Sequence, residues 1–492
     1  QNGSPHAVTL NGMSYNAIKM RLGNKTSPPV VADVERILSH NKIDEPHIKA
    51  PILFNLIDDI EFKPNVVSTT ALPTFYQPVG PLVTEDGNNP GKSFSNPLTE
   101  QPSLFAARSH NSDHATVKGR IEKMRNEIVP PAKYKAYLDE FVELMVPEPG
   151  IGSPWSVDQV RRAQNAPAQV ARARLAEATM STISQNKLSS FIKAEPYTAT
   201  NDPRNITTCS PEHTIRMSSF SYPFKKANLM KCRWYGPGKT PKQVCKRLTE
   251  ICDNGAILSD YARLDGSMSE FMHLPYKRAM MRWLRPEYRA EYQHWHDQCF
   301  VRKGCTTEGV KYDAGDSTRS GSAITTDTNT SGAAFVVYCA LRDIGYSPEE
   351  AWELIGIICG DDGVNRNLPG LADQMEVVSK EFGLTLECEI VRRHEPVKYC
   401  SRIFVDPLLR TDSFQDPKRT IPKLHLTCNK SVTPMQAAVN KATGYAITDG
   451  KTPIVGTWCK QIQKLSKGML AYQLTHEEIY KCSMAWPQND VD

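Results

Sequence analysis

The chain reads as an α+β protein. Between about residues 188 and 405, short apolar runs that end in carboxylates alternate with helical patterns. The last ninety residues carry repeated helix-start signals, and the first hundred are rich in Pro, Asn, Ser and Gly with broken apolar patterns. The three stretches predict a mixed core, a mainly helical end and an N-terminal segment that wraps over a core built later in the chain.

The first hundred residues include "PVGPLVTEDGNNPGKSFSNP" (78–97), expected as extended loop. Residues 115–145 and 156–186 are expected as helices, the second opened by Ser156 as N-cap and broken or kinked at Pro167. In the tail, Thr-Pro pairs at Thr433-Pro434 and Thr452-Pro453 are expected to start helices, and Thr475 with Glu478 to form a capping box.

At 492 residues the chain has room for several subdomains and a large core. Its 40% hydrophobic and 23% charged residues suit a water-exposed globular protein. No run approaches the 18 or so apolar residues needed to cross a bilayer, and "GAAFVVYCAL" (332–341) suits a core helix. The chain opens with Gln1 and shows no signal peptide, so it is expected to be a piece of something longer, with any membrane anchor outside it.

The net charge of +5 is mild, but from His213 to Thr249 nine basic residues occur without one acid, interleaved with aromatics. That field suits a polyanion such as RNA or a nucleotide; it also suits a solvated face. Thirteen cysteines, all after position 208, lack a paired spacing and point to a reducing compartment. The cluster His294, His296, Cys299 and Cys305 fits no common zinc pattern and is expected to pack in core or surface.

The stretch "LIGIICGDDGVN" (354–365) puts Asp361 and Asp362 side by side after a buried-looking strand, framed by Gly360 and Gly363. The pattern predicts a β-hairpin with the carboxylates at its tip. Adjacent like charges there are relieved by raised pKa or by a cation, although Gly-Asp-Asp-Gly is also ordinary turn chemistry. Upstream, "AILSDYARLDGSMSE" (256–270) ends another apolar run at Asp260, with Asp265 five residues on. If Asp260 ends a strand beside the hairpin, the carboxylates converge. Converging hard oxygens are what Mg²⁺ selects, and two such ions about 4 Å apart can activate a hydroxyl and stabilise a leaving pyrophosphate.

Two further elements complete the constellation. "RSGSAITTDTNTSGAAF" (319–335) carries Ser320, Gly321, Thr325, Asn329 and Thr330. Gly321 is expected to allow an unusual loop backbone, and Thr325 and Asn329 to share a helix face that can read a sugar hydroxyl. "FIKAEPYTATNDPRNITT" (191–208) carries Lys193 and Arg204 around a short connection, cations suited to a triphosphate, with Glu195 placed to hold one of them.

In this order, K-x-E with D-P-R-N-I, D-x-x-x-x-D, S-G-x-x-x-T-x-x-x-N-T and G-D-D resemble the RNA-dependent RNA polymerases of positive-strand RNA viruses, most similarly nodavirus replicases. The resemblance covers about 188–405. It implies a right hand of fingers, palm and thumb, with an antiparallel palm sheet and a mainly helical thumb. The expected division is 1–100 N-terminal extension, 101–250 fingers, 251–270 palm, 271–315 fingers insertion, 316–405 palm and 406–492 thumb. It implies RNA-templated nucleotidyl transfer for viral genome replication and transcription. Asp260, Asp361 and Asp362 would ligate two Mg²⁺ ions, Mn²⁺ substituting, with Asp362 the weaker ligand. Asp265 and Asn329, assisted by Thr325 and Ser320, would recognise the ribose 2′-hydroxyl. Lys193 and Arg204 would bind the incoming triphosphate, while Gly321 and Gly360 support the loops. "VKYCSRIFV" (397–405) would grip the primer strand through Cys400, Ser401 and Arg402.

The general acid for pyrophosphate is left open among Arg392, Arg393 and Lys398, and the template entrance is sought without assignment in 103–120. Partners implied are template and product RNA, NTPs and a membrane-associated replication complex, with oligomerisation allowed. The place implied is the host cytoplasm at an organelle membrane, the mitochondrial outer membrane for a nodavirus-like replicase. Two other readings compete. A reverse transcriptase or DNA polymerase would exclude the 2′-hydroxyl with a bulky residue where this chain has Asp265 and Gly266. A non-catalytic RNA binder would avoid the carboxylates.

Overall fold

The apolar run Ala256–Tyr261 forms a strand, β1, in which five residues are buried and Asp260 alone is exposed. This chain, as a computed structural model, is described over residues 30–56, 66–68, 90–101, 103–164, 167–177, 179–180, 186–429 and 431–469, with Ile18, Lys19, Arg21, Leu22, Trp486 and Gln488 besides. After β1 come helix α1 (Glu270–Trp283) and helix α2 (Thr325–Asp343). Strands β2 (Ile357–Cys359) and β3 (Asp362–Arg366) follow, then helix α3 (Leu371–Glu381) and strand β4 (Leu386–Val391). The four strands form one sheet in the order β4-β1-β3-β2, antiparallel throughout as expected.

The two faces of this sheet bury different partners. Ile257, Tyr261 and Ile358 join the large core made with α1, α2 and α3. Fifteen consecutive residues of α2, Asp327–Leu341, are buried, so "GAAFVVYCAL" is a core helix. Phe335 stacks on Phe382 and meets Phe141 edge to face. Each such aromatic contributes about 1.5–3 kcal/mol by burial. Ala256, Leu258 and Val364 face the other way, onto Val397, Tyr399 and Phe404. These belong to the hairpin of Val397–Tyr399 and Arg402–Phe404, which a third strand, Ser413–Gln415, extends.

A second four-stranded sheet joins distant segments. Leu188–Ile192 pairs with Asn205–Thr208 on one side and, in parallel, with Lys303–Thr306 on the other, followed by Lys311–Asp313. The 271–315 stretch therefore returns to the 188–208 segment. Near the N-terminus, Lys92–Ser93 pairs with Leu426–Thr427, tying the two ends of the chain together.

Several expected boundaries shift. The 115–145 helix is interrupted: His110–Val117 runs into a π turn at Lys118–Glu122, and helix resumes only at Lys133. Pro130 and Pro131 supply the reason, since each drives the preceding residue out of helical conformation. Ser156 caps Val157–Ala163 through the amide of Gln159, and a new helix begins at Pro167. Thr433 caps Pro434–Asp449. The second Thr-Pro pair misses its helix by two residues: Ile454 sits at φ +67° and Val455–Leu465 begins after it. The capping box of Thr475 and Glu478, and most of the 78–97 loop, lie outside the described residues.

The twelve cysteines among the described residues are free. His296 and Cys299 are buried on the helix Pro286–Cys299, while Cys305 is exposed on the strand Lys303–Thr306. Nor is the basic stretch simply a surface face. Arg247 is buried and donates to the carbonyls of Ile355 and Gly356, and Lys225 pairs with buried Asp327. Among the described residues no helix is long and apolar enough to cross a membrane.

Candidate active site

The carboxylates meet at one end of the β4-β1-β3-β2 sheet. Asp362 pairs with Asp260 across β1 and β3, and Asp260 pairs with Glu387 across β1 and β4. Cross-strand partners project to the same face, so Glu387, Asp260 and Asp362 form a row of like charges. Asp361 stands at the exposed tip of the two-residue turn between Cys359 and Asp362. Gly360 makes that turn at φ +65°, where a side chain would be strained, and its amide donates to Thr330 Oγ1 at 2.9 Å. The hairpin tip is thereby fastened to α2.

The electrostatics follow from this crowding. Burial, then Asp361 and Glu387, raises the pKa of Asp260. Burial, then Asp361 and Asp260, pushes Asp362 up to about 6. Arg419 opposes both shifts. Among the described residues no three His, Cys, Asp or Glu side chains lie close enough to hold a metal by themselves. A Mg²⁺ ion that retains waters and takes phosphate oxygens needs only one or two of them. The donors are all carboxylate oxygens, and a cation relieves the charges that burial and repulsion disfavour, so the residues fit such an ion.

Two cavities open at the carboxylates, one onto the row and one onto Asp361. The first, about 360 Å³, is lined by Asp260, Asp362, Glu387, Lys398, Ser401 and Arg419 among others. The second, about 320 Å³, is lined by Asp361, Asp265, Asn329, Ser320, Arg204, Arg263 and Arg120 among others.

The second cavity is heavily cross-linked. Asn329 Nδ2 donates to Asp265 Oδ1 at 2.5 Å, and Thr318 Oγ1 donates to Asn329 Oδ1 at 3.0 Å. Burial raises the pKa of Asp265, and the bond from Asn329 offsets it. Ser320 Oγ accepts from the amide of Thr207 and donates to the carbonyl of Asn205, both at 3.1 Å. Gly321 is needed for a different reason than expected: its φ is ordinary, but a Cβ there would lie 2.9 Å from the Thr207 carbonyl oxygen. Thr325 shares the helix with Asn329, yet its hydroxyl donates to the Arg319 carbonyl and so shapes the loop. Lys193 and Arg204 flank the 188–208 hairpin, the Lys193 amide donating to the Arg204 carbonyl at 2.9 Å. Glu195 holds both cations, at 3.1 and 3.6 Å.

The predicted residues of the 397–405 hairpin separate. Cys400 and Ser401 form its turn at φ +49° and +62°, left-handed values that cost non-glycine residues roughly 1–2 kcal/mol each. Arg402, expected at the primer strand, is 2% exposed. It donates to Asp449 Oδ2 at 3.1 Å and to Ser413. Its guanidinium is thus spent on a buried pair. Of the three candidates for a general acid, Lys398 lines the first cavity. Arg392 and Arg393 follow Val391, which pairs with Ala256 at the other end of β1, four residues or about 13 Å along the strand from Glu387.

Several site residues escaped the sequence reading. Glu387 and Arg419 carry no local motif; strand register and tertiary packing bring them in. Arg120, at the end of the unassigned 103–120 stretch, donates twice to the Asp202 carbonyl. Arg263, lying between Asp260 and Asp265, sits at φ +54° and binds Asp202 at 3.1 Å. Buried Arg319, next to Ser320, donates to the carbonyls of Ala314, Ser317, Val301 and Gly315 and so fixes the loop ahead of α2. Its position beside the Ser-Gly pair was the available signal.

No family model matches the chain. Among curated proteins it is 49% identical over 493 residues to the RNA-directed RNA polymerase of Pariacoto virus, covering 99% of this chain and 51% of that protein. It is 41% identical over 501 residues to that of Pieris rapae virus, covering 99% and 49%. To that of Flock house virus it is 27% identical over 454 residues, covering 85% and 45%. The chain thus spans about half the length of the curated relatives it matches. Among solved structures, an insertion loop deletion mutant of the RNA-dependent RNA polymerase of a human picorbirnavirus aligns with a TM-score of 0.62 at 11% identity, covering 77% of this chain and 81% of that one. At that identity the likeness is one of fold. Along nearly its whole length, then, the chain is a relative of the RNA-directed RNA polymerases of nodaviruses, with the mixed helix and sheet fold of viral RNA-dependent RNA polymerases.

Proposed function

We propose that the chain is the catalytic part of an RNA-directed RNA polymerase that copies viral RNA for genome replication and transcription. The observation that carries the reading is the register of Asp362 against Asp260, which sets carboxylates at one sheet end where two cavities open. The names of its relatives point the same way.

In this reading the β1–β4 sheet with its helices is the palm, the 188–208 and 303–313 strands belong to the fingers, and the C-terminal helices to the thumb. Asp260, Asp361 and Asp362 would hold two Mg²⁺ ions, or Mn²⁺, which when bound neutralise phosphate charge and ease ionisation of the attacking RNA 3′-hydroxyl. The chain's own residues do the positioning. Arg204, with Arg120 and Arg263, cradles the triphosphate in the second cavity, and Lys193, which shares Glu195 with Arg204, adds its charge from beside it. The Asp265–Asn329 pair turns one acceptor and one donor toward a ribose 2′-hydroxyl, which favours NTPs over dNTPs. Attack of the 3′-hydroxyl on the α-phosphorus breaks the α–β phosphate link and releases pyrophosphate. The partners are template and product RNA and NTPs, within a replication complex at a host cytoplasmic membrane.

Primer extension on a homopolymer RNA template, with and without Mg²⁺, tests this. Wild-type protein is expected to extend with NTPs, and Asp361→Asn to lose synthesis while still binding RNA. Equal use of dNTPs, or Asp361→Asn synthesis at wild-type rate, would sink the reading.

A further inference from the structure

The first cavity has an acidic floor of Glu387, Asp260 and Asp362, and a strand of RNA brought to it must be met by a cation. The arginine expected for that task, Arg402, is turned into its pair with Asp449. Another arginine takes the open position. Arg419 lies on the short helix Pro417–Thr420, exposed, and lines the same cavity as Asp260 and Asp362. Its Nη1 donates to Ser401 Oγ at 2.9 Å. Ser401 is the second residue of the left-handed turn, and its carbonyl accepts from the amide of Asp416, so the strained tip and the short helix are fastened together. Strain held at such a place belongs with sites that position a ligand. One of the five N–H groups of Arg419 is engaged by Ser401, which leaves a planar fork facing the cavity.

We propose that Arg419 is the residue that binds the backbone phosphate at the 3′ end of the nascent RNA and sets its terminal hydroxyl against the carboxylates. This rests on the polymerase reading of the same site. Ser401 is the positioning residue that aims the guanidinium; Arg402 serves the fold beneath it.

The test compares wild type with Arg419→Ala, Arg419→Lys and Lys418→Ala, an exposed cation on the same turn that does not line the cavity. Two readouts are taken: equilibrium binding of a primed RNA hairpin, and primer extension resolved into KM for primed RNA, KM for NTP and kcat. Arg419→Ala is expected to weaken hairpin binding and raise KM for primed RNA by about tenfold or more, the loss of a charge-assisted contact. KM for NTP should stay within about twofold, and the salt dependence of binding should fall by about one phosphate contact. Arg419→Lys should recover part of the loss, and Lys418→Ala should match wild type. Unchanged RNA binding in Arg419→Ala, an equal loss in Lys418→Ala, or a rise in KM for NTP alone would overturn the proposal. Wild type that binds the hairpin but does not extend it would sink the polymerase reading and leave the binding comparison to judge Arg419. Wild type that does neither overturns both.

Discussion

The two cavities beside the carboxylates are built in opposite ways. The second is closed by hydrogen bonds among its own residues: Thr318 to Asn329, Asn329 to Asp265, and Ser320 to the carbonyl of Asn205. The first presents three acids in register, with Lys398 and Arg419 from other segments facing them. One is a finished donor–acceptor pattern suited to reading a small group. The other is an unbalanced charge field suited to a polyanion and cations. A polymerase needs both, a discriminating pocket for the nucleotide and a sequence-indifferent seat for the strand.

The largest expected effect falls on the border between them. Asp361 lines the second cavity and acts electrostatically on both Asp260 and Asp362 of the first. Asp361→Asn should lower the extension rate by about a thousandfold, with RNA binding kept. A loss of RNA binding in that variant would mean the two cavities do not divide the work as described.

Removing the support under the first cavity tests whether its hairpin is a rigid seat. Arg402→Ala leaves Asp449, fully buried, without its cationic partner, the amide of Gln415 and the hydroxyl of Thr452 remaining. A loss of about 3 kcal/mol of stability is expected, read from denaturant or thermal unfolding. A smaller loss with RNA binding abolished would put Arg402 back at the strand.

The second cavity should respond in selectivity instead. Asn329→Ala removes one partner of Asp265 and of Thr318. Discrimination between NTP and dNTP should fall about tenfold, as single-nucleotide kcat/KM ratios would report. Hairpin binding should not move. If it does, the cavities share a substrate surface.

The same contrast explains what the sequence disclosed. Much of the second cavity was legible because its residues lie within short motifs: Asp265, Ser320 to Asn329, and Arg204. Local turn and helix geometry fixes their mutual placement, but Gly321's reason and Thr325's hydroxyl partner were misread. The first cavity was legible only in part: Asp260, Asp362, Lys398 and Ser401 were named, its other charged residues were not. Glu387 reaches Asp260 through strand register, and Arg419 arrives by packing of a segment beyond the motifs. Arg402 was expected at the primer strand because nothing local reveals Asp449, 47 residues on, as its buried partner. At the level of elements, alternation marked the sheet, while Pro130-Pro131 broke a helix whose periodicity alone looked continuous.

The smallest expected effect is a pH dependence in the first cavity. Burial and the neighbouring acids push Asp362 up to about 6 from an ordinary value near 4. Between those values the folded protein holds a proton there that the unfolded chain releases, so this group favours folding at low pH. That contribution fades as pH rises through about 6, on the order of 1 kcal/mol once solvent screening of a half-buried group is allowed for. A bound divalent cation favours the charged form and reverses the trend. Melting temperature in chelator should therefore fall relative to Asp362→Asn as pH rises from 5 to 7, while stabilisation by Mg²⁺ grows over the same window. Parallel curves for wild type and Asp362→Asn, with and without Mg²⁺, would remove Asp362 from the cation site and leave Asp260 and Asp361 as its ligands.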